Sequence, residues 1–223
     1  MSLTVDNLNK DLEQWFLLKH PFYQQWNEGK LTIEDLSLYA REYYHHVAAF
    51  PRYISQIHTL CKDISARQVL LDNLIDEEKG EGNHPELWLR FLEGVQGDRA
   101  HNEEPQIDAT KELVDGFFEL TKTDYHTGLG ALYSYERQTA DVSESKMDGL
   151  TNNYAINDAK TLEFFDVHAK FDKFHTQALV KLIKDTNEVD FQKVRHGALS
   201  GAKLLWQFLD GMLDARCVTC SIN

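Results

Sequence analysis

Apolar residues recur at helical spacing through most of this chain. In one segment they fall at Leu36, Tyr39, Tyr43 and Val47, and each step of three or four residues keeps them on one helix face. Runs that alternate apolar and polar residues, which would indicate strands, are almost absent, and the chain contains only 4 prolines. The pattern predicts an all-α protein of about seven or eight helices.

Local signals indicate where several helices begin and end. Pro21 suits a helix start, and Thr32 with Asp35 three residues later imitates a capping box. Pro51 is expected to end or kink the helix in which it lies. Two glycines and a proline in residues 79–85 predict a break between helices. Further helices are expected over residues 107–122, 125 to about 146, 158–185 and 189–214.

Length and charge limit the kinds of protein that the chain can be. Its 223 residues fit one domain, expected over residues 1–216, followed by a short cysteine-containing tail at 217–223. A net charge of -13 argues against nucleic acid or an anionic membrane as a partner. No apolar run reaches the length of about 18 residues that a membrane span requires.

The cysteines and the first residues of the chain indicate the cellular compartment in which we expect the protein. The start of the chain shows no basic region followed by an apolar run, so a signal peptide is not expected. Three cysteines make no disulfide framework, and Cys217 and Cys220 read as free thiols. We expect a cytoplasmic protein, with secretion into a host left open.

One short stretch carries ligands for a metal. His168, Asp172 and His175 stand at i, i+4 and i+7, which places them within about 60° of arc on one helix face. The pair Asp172 and His175 matches the carboxylate-x-x-His element of di-iron helical bundles. The alternative is a polar stripe with two incidental histidines.

Three further residues can join this stripe. Glu77 ends an apolar helical face and His84 follows seven residues later, although both could instead be surface residues beside a flexible loop. Glu136 follows a run of small and apolar residues that begins at Gly128, so it needs a cationic partner or a raised pKa. That partner can be a metal or an arginine.

The six candidates together form a set of oxygen and nitrogen donors from three helical regions. Such a set suits a pair of iron or manganese ions with open positions for dioxygen, and it suits thiolate-preferring metals poorly. The candidate metal ligands are Glu77, His84, Glu136, His168, Asp172 and His175.

Tyrosines form a second group of candidates. They cluster on helical stripes in the first and fifth helical regions, where most are expected to be core aromatics with satisfied hydroxyls. Near a metal that activates oxygen, a phenol can also donate electrons or be a substrate. Lys146 lies ten residues after Glu136 and, from spacing alone, reads as a surface residue.

Several stretches resemble one known family. They are Phe22-Tyr23-x-x-Trp26-x-x-Gly29, Tyr39-Ala40-x-x-Tyr43-Tyr44, Ala49-Phe50-Pro51-x-Tyr53, Leu70-Leu71-Asp72-Asn73-Leu74-x-Asp76-Glu77-Glu78, Asn83-His84, Ala131-Leu132-Tyr133-Ser134-Tyr135-Glu136 and the His168 to His175 stripe. The chain resembles the CADD group (proteins associating with death domains) of heme-oxygenase-like di-metal oxidases. That group is related to the pyrroloquinoline-quinone synthase PqqC and to TenA-type thiaminases.

The resemblance implies a specific chemistry. It implies that the six candidate ligands bind two metal ions, Fe/Fe or Fe/Mn, and that dioxygen and a reductant are co-substrates. The family is thought to make 4-aminobenzoate for folate synthesis from its own side chains. By resemblance Tyr23 supplies the ring and Lys146 the amino group, while Tyr39 and Tyr135 relay electrons or otherwise serve the reaction. A homodimer and association with a host death-domain protein are further expectations.

Two other functions stay open at this point. A PqqC-like oxidase would act on an external small molecule, with Tyr23 and Lys146 only lining its pocket. A helical interaction protein would use its surface to bind a partner, and its metal site would be structural.

Overall fold

The computed structural model describes residues 4–101 and 104–220, without the side chains of residues 101, 171–173 and 217–220. Two 3-10 turns at Glu13–Trp15 and Leu17–Lys19 join the first two α-helices, and we call residues 13–19 the strap. A third 3-10 turn spans Arg99–His101. The α-helices are α1 (Val5–Leu12), α2 (Pro21–Asn27), α3 (Ile33–Leu60), α4 (Ile64–Glu78), α5 (His84–Gly94), α6 (Asp108–Thr123), α7 (Tyr125–Tyr154), α8 (Ala159–Lys184) and α9 (Glu188–Cys220).

The all-α prediction is confirmed, since the described residues contain nine α-helices and no strand. The count exceeds the seven or eight expected. The capping box at the start of α3 is present: the Thr32 hydroxyl accepts from the Asp35 backbone N–H at 3.1 Å, and the Asp35 carboxylate accepts from the Thr32 N–H at 2.8 Å.

Several helix ends differ from the sequence prediction. The α9 helix continues beyond residue 214 to Cys220, into the predicted tail. Pro51 does not end α3, which runs on to Leu60, because buried residues on both sides pack into the core and outweigh the lost backbone hydrogen bond. The α7 helix continues well beyond residue 146 to Tyr154 and ends at Ala155, which adopts a left-handed conformation with φ of 55°.

The α7 helix lies at the centre of the fold and packs against α9, α8, α6 and α3. Its closest approach is to α9, through two glycines. A Cβ on Gly130 would lie 2.0 Å from the Val194 carbonyl oxygen, and one on Gly197 would lie 1.9 Å from that of Thr127. Only glycine permits this backbone contact, and it holds the buried face of α7 at a fixed distance from its neighbours.

Large aromatic side chains fill the space between α2, α3, α5 and α7. Trp26, Tyr39 and Trp88 are fully buried, and the Trp88 indole N–H donates to the Ala40 carbonyl at 2.7 Å. Among the described helices, none contains a run of apolar residues long enough to cross a membrane.

Candidate metal centre

The buried stripe of α4 places two polar side chains in the protein interior. Its inward positions are Ala66, Leu70, Asn73 and Glu77, at the steps of four and three residues that one helix face requires. Leu71 and Ile75, which are apolar but lie off this stripe, are 43% and 40% exposed. The stripe is therefore apolar at its start and polar where it reaches α7 and α8.

Glu77, His84 and His168 converge at this polar end. One ligand atom from each lies within 4.8 Å of the other two, and all three residues are buried. His84 is the first residue of α5, immediately after the break at residues 79–83, so the break turns its imidazole back towards Glu77. The imidazole rings of His84 and His168 have centroids 4.3 Å apart.

Hydrogen bonding determines which ring nitrogen of His168 carries the proton and which has a lone pair for a metal. Its Nδ1 lies 2.7 Å from the Phe164 carbonyl oxygen, one turn earlier on α8, so Nδ1 carries the proton and donates it there. The lone pair is then on Nε2, as in histidines that bind a metal. Burial lowers the pKa of His168 well below its usual value, and the nearby His84 lowers it further, so the ring is neutral.

His84 and Glu77 are in close contact. His84 Nδ1 lies 2.7 Å from Glu77 Oε2, although the contact does not have the geometry of a regular hydrogen bond. Burial alone would lower the pKa of His84, but the Glu77 carboxylate raises it overall. An imidazole nitrogen and a carboxylate oxygen this close together can both bind one cation placed beside them.

Glu136 lies on α7 beside this cluster, and its supporting residue was missed in the sequence. The Asn73 side-chain amide donates to Glu136 Oε1 at 2.7 Å. Burial raises the pKa of Glu136 to about 8, the Asn73 hydrogen bond opposes this rise, and the Glu77 charge adds to it. An asparagine within the apolar run from Leu70 to Leu74 was the signal available in the sequence.

The remaining two candidate ligands lie on α8. His175 is partly exposed, and its Nε2 lies 3.3 Å from the Asp76 carboxylate. The charges of Glu77 and His84 act on the pKa of His175, which burial lowers, so the ring lies near the cluster. The side chain of Asp172 is outside the described residues.

These donors fit iron. Neutral imidazole nitrogen and carboxylate oxygen are ligands that iron accepts, and among the described residues the cluster contains no thiolate. The buried Nδ1 of His84, which lacks a regular hydrogen bond, would gain a ligand bond if a cation were bound, and Nε2 of His168 carries the lone pair that such a cation requires.

A second polar group lies on the same side of α7, around Lys146. This lysine is 5% exposed, unlike the surface residue expected from spacing, and its Nζ donates to the Tyr39 hydroxyl at 2.7 Å. The Tyr39 hydroxyl also shares a 2.7 Å hydrogen bond with that of Tyr23. Burial lowers the pKa of Lys146 well below its usual value and raises the pKa values of Tyr23 and Tyr39 well above theirs, so all three groups are neutral.

A small cavity lies beside Lys146 and the tyrosines around it. Its volume is about 20 Å³, and every side chain that lines it is buried. The cavity can hold a single water molecule and not an aromatic ring. The hydroxyls of Tyr43 and Tyr135 are hydrogen-bonded to each other at its wall. The lining residues are Leu17, Tyr23, Tyr43, Trp88, Tyr135, Gln138, Thr139, Val142, Ser143, Lys146 and Phe164.

Comparisons with known proteins agree with this site. A family described as iron-containing redox enzymes matches residues 37–206. The 4-aminobenzoate synthase of Chlamydia muridarum is 37% identical over 220 residues, covering 97% of this chain and 93% of that protein. The pyrroloquinoline-quinone synthase of Acinetobacter calcoaceticus is 24% identical over 159 residues, covering 70% of this chain and 63% of that protein.

A solved structure shares the fold. The crystal structure of a TenA homologue from Pseudomonas syringae pv. tomato superposes with a TM-score of 0.78 at 17% identity, covering 94% of this chain and 92% of that one. The heme-oxygenase-like helical fold expected from the resemblance is therefore confirmed. With its fold, its histidine and carboxylate cluster and its sequence relatives, this chain belongs to the family of iron-containing redox enzymes.

Proposed function

We propose that this chain makes 4-aminobenzoate in an oxygen-dependent reaction that consumes its own side chains. Tyr23 supplies the aromatic ring and Lys146 supplies the amino group. The metal pair, Fe/Fe or Fe/Mn, would be held by Glu77, His84, Glu136, His168, Asp172 and His175. Relatives that share more than a third of its sequence are named for this product, which supports the proposal.

One observation carries the proposal: the lysine lies over the tyrosine ring in a space that admits no other ring. The Nζ of Lys146 is 4.8 Å from the centroid of the Tyr23 ring. The adjoining cavity of about 20 Å³ has room for water or dioxygen only. An external aromatic substrate would have no place beside Lys146, whereas Tyr23 already occupies that place.

The product defines what the two side chains must contribute. In 4-aminobenzoate a nitrogen stands para to a carboxyl group, as the oxygen of tyrosine stands para to Cβ. The Cα–Cβ bond of Tyr23 must therefore break, Cβ must be oxidised to the carboxyl carbon, and nitrogen must replace oxygen on Cζ. That nitrogen leaves Lys146 when its Cε–Nζ bond breaks, and Cε is oxidised to an aldehyde. The phenol oxygen of Tyr23 leaves Cζ as water, and Cα takes up a hydrogen in place of the lost Cβ. Dioxygen is the oxidant, and a reductant supplies the remaining electrons.

Burial prepares Lys146 for this role. An ammonium group has no lone pair, so attack on a ring carbon requires the neutral amine. Burial lowers the pKa of Lys146 and keeps it neutral, and the surrounding rings of Tyr23, Tyr39 and Trp88 exclude water. The metal pair would supply the oxidising power of activated dioxygen to the adjacent phenols.

Tyr39 orients the two reacting groups. Its hydroxyl accepts from Lys146 and shares a hydrogen bond with Tyr23, so one oxygen sets the distance between amine and phenol. Tyr135, whose hydroxyl is bonded to that of Tyr43, lies next to Glu136 in sequence and provides a route for electrons between the phenols and the metal centre.

Isotope labelling tests the proposal directly. Protein is produced with tyrosine labelled with carbon-13 in the ring and lysine labelled with nitrogen-15 at Nζ. The purified protein is then given ferrous iron, a reductant and air, with no substrate added. We expect 4-aminobenzoate that carries both labels, in an amount of at most one molecule per chain.

Matched tyrosine variants test whether the ring comes from Tyr23. Tyr23→Phe lacks the phenol oxygen and should form no product, whereas Tyr44→Phe on the outer part of α3 should form as much as the wild type. If labelled protein instead yields unlabelled product, or yields product only when a small molecule is added, an oxidase with an external substrate replaces this proposal.

We also propose a cytoplasmic location, where a reductant is available. The buried Cys61 is a free thiol, which is compatible with a reducing compartment.

A further inference from the structure

The cavity beside Lys146 is too small for the ring that the proposed reaction produces. All of its lining side chains are buried, so a product formed there cannot leave unless part of the wall moves. The wall consists of residues from α2, α3, α5, α7 and α8, apart from one residue of the strap, Leu17. The strap is the wall's single contribution from outside the α-helices.

Successive residues of the strap face opposite sides. Leu17 is 4% exposed and lines the cavity, whereas its neighbours Phe16 and Leu18 are half-buried and line an outer groove of about 660 Å³. The α7 helix contributes to both spaces, with Val142 and Ser143 on the cavity side and Asp141 on the groove side. The groove and the cavity are therefore separated by the strap at Leu17.

The strap is fixed at both of its ends. Near one end, Trp15 packs edge-on against Trp206 of α9, with centroids 5.7 Å apart. At the other, the buried His20 accepts from the Phe22 backbone N–H and bonds the Asp210 carboxylate, both at 3.0 Å.

Between these ends, a side chain of α7 holds the strap down. The Leu17 backbone N–H donates to Gln138 Oε1 at 2.9 Å, and the Gln138 amide donates in turn to the Ser134 carbonyl at 2.9 Å. Both bonds are buried. One glutamine side chain therefore couples the position of Leu17 to the rigid central helix.

We propose that Leu17 is the gate between the outer groove and the Lys146 cavity, and that Gln138 is its latch. When closed, the gate excludes external molecules from Lys146, and its opening is the route by which the product leaves. The release step rests on the proposed function, but the exclusion of external molecules from Lys146 does not.

The outer groove is acidic, since Asp141, Glu144 and Asp148 line it. These charges disfavour entry of an external aromatic acid into the groove and so add to the exclusion at Leu17.

Chemical labelling of Lys146 tests the gate without iron, oxygen or turnover. The probe is 1-fluoro-2,4-dinitrobenzene, a neutral aromatic compound of about the size of the product. A neutral amine displaces its fluoride, which leaves together with the amine proton. Peptide mass spectrometry compares Lys146 with the exposed Lys30 in the same sample.

The expected rates follow from the position of each residue. In the wild type, Lys146 should react at least about a hundredfold more slowly than Lys30. Leu17→Ala and Gln138→Leu should each speed the reaction of Lys146 about tenfold or more. Leu17→Met, which nearly preserves the volume, should keep the wild-type rate.

Two controls separate gating from general loss of stability. Leu18→Ala makes the same truncation on the outer side of the strap and should change the rate of Lys146 less than about twofold. Leu129→Ala truncates a buried leucine of α7 that does not line the cavity, so it reports labelling through global unfolding. If either control matches Leu17→Ala, or if wild-type Lys146 reacts as fast as Lys30, the gate does not exist.

A second measurement tests the release step. In iron-loaded protein, total product after acid quenching is compared with free product after rapid filtration. Leu17→Ala should release product faster while forming it at the wild-type rate. Formation of no product by any variant would refute the proposed function and leave the labelling result intact. Equal release rates would refute the exit route alone.

Discussion

The amine of Lys146 lies 4.8 Å from the centre of the Tyr23 ring, and the hydroxyl of Tyr39 connects the two side chains by hydrogen bonds of 2.7 Å. A lysine is seldom found in the interior of a protein, because burial disfavours its charged form. Its presence within a cage of aromatic rings is a structural cost that the proposed chemistry explains.

The lowered pKa of Lys146 makes the stability of the folded protein depend on pH. The folded chain binds the Lys146 proton less readily than the unfolded chain, so its stability rises with pH between the lowered folded pKa and about 10.4. Relative to Lys146→Met, which has no such proton, the wild type should gain about 1.4 kcal/mol of unfolding free energy per pH unit in this range. Urea unfolding at pH 8 and 9 measures the difference, and parallel curves for the two proteins would contradict it.

Tyr39 should matter for both stability and reaction. Tyr39→Phe leaves the Lys146 amine and the Tyr23 hydroxyl without their shared partner, so the free energy of unfolding should fall by about 1–3 kcal/mol. The rate of product formation should fall about tenfold or more, because the amine and ring are no longer held together. Tyr44→Phe on the same helix should change neither quantity. Unfolding in urea and a single-turnover assay provide the two measurements.

Asn73 should increase the metal affinity of the site without binding the metal itself. Asn73→Leu removes the hydrogen bond to Glu136, and loss of such a supporting contact typically lowers metal affinity about 10- to 100-fold. The neighbouring Asp72 is exposed, so Asp72→Asn should change the affinity less than about twofold. Anaerobic titration with ferrous iron measures both, and equal affinities would exclude a supporting role for Asn73.

Iron binding should release protons near neutral pH. Burial raises the pKa of Glu136 to about 8, so at pH 7 this carboxyl is mostly protonated and must lose its proton to bind a metal. Affinity should therefore rise almost tenfold between pH 6 and 7, and less steeply as the pH approaches 8. Calorimetry in buffers of different ionisation enthalpy counts the protons released. A value of zero at pH 7 would mean that Glu136 is not a ligand.

The sequence predicted the kinds of ligand better than their surroundings. Glu77, His84 and His168 could be selected because paired histidines and carboxylates at helical spacing are unusual on a solvated surface. Their convergence from three helices depends on the break after Glu78 and on the packing of α4 against α8, which spacing within one helix cannot reveal.

Burial was harder to predict than helix position. Lys146 was expected at the surface because a charged side chain is usually exposed, and the rings that enclose it come from α2, α3, α5 and α8. Likewise, Leu71 and Ile75 are apolar, but the turn of α4 that buries Asn73 and Glu77 directs them outwards. The roles of Leu17 and Gln138 depend on a contact across 121 residues of sequence, which no local pattern encodes.

The burial of Tyr23 has a consequence for the fate of the molecule. Its ring is 2% exposed and packs against Phe22, Trp26 and Tyr39. Removal of a core aromatic ring costs about 3–5 kcal/mol, a large share of the stability of an ordinary domain. Under the proposed reaction, a chain that has lost the Tyr23 ring would be weakened at its centre, and the cell's proteases could distinguish spent molecules from fresh ones by their greater tendency to unfold.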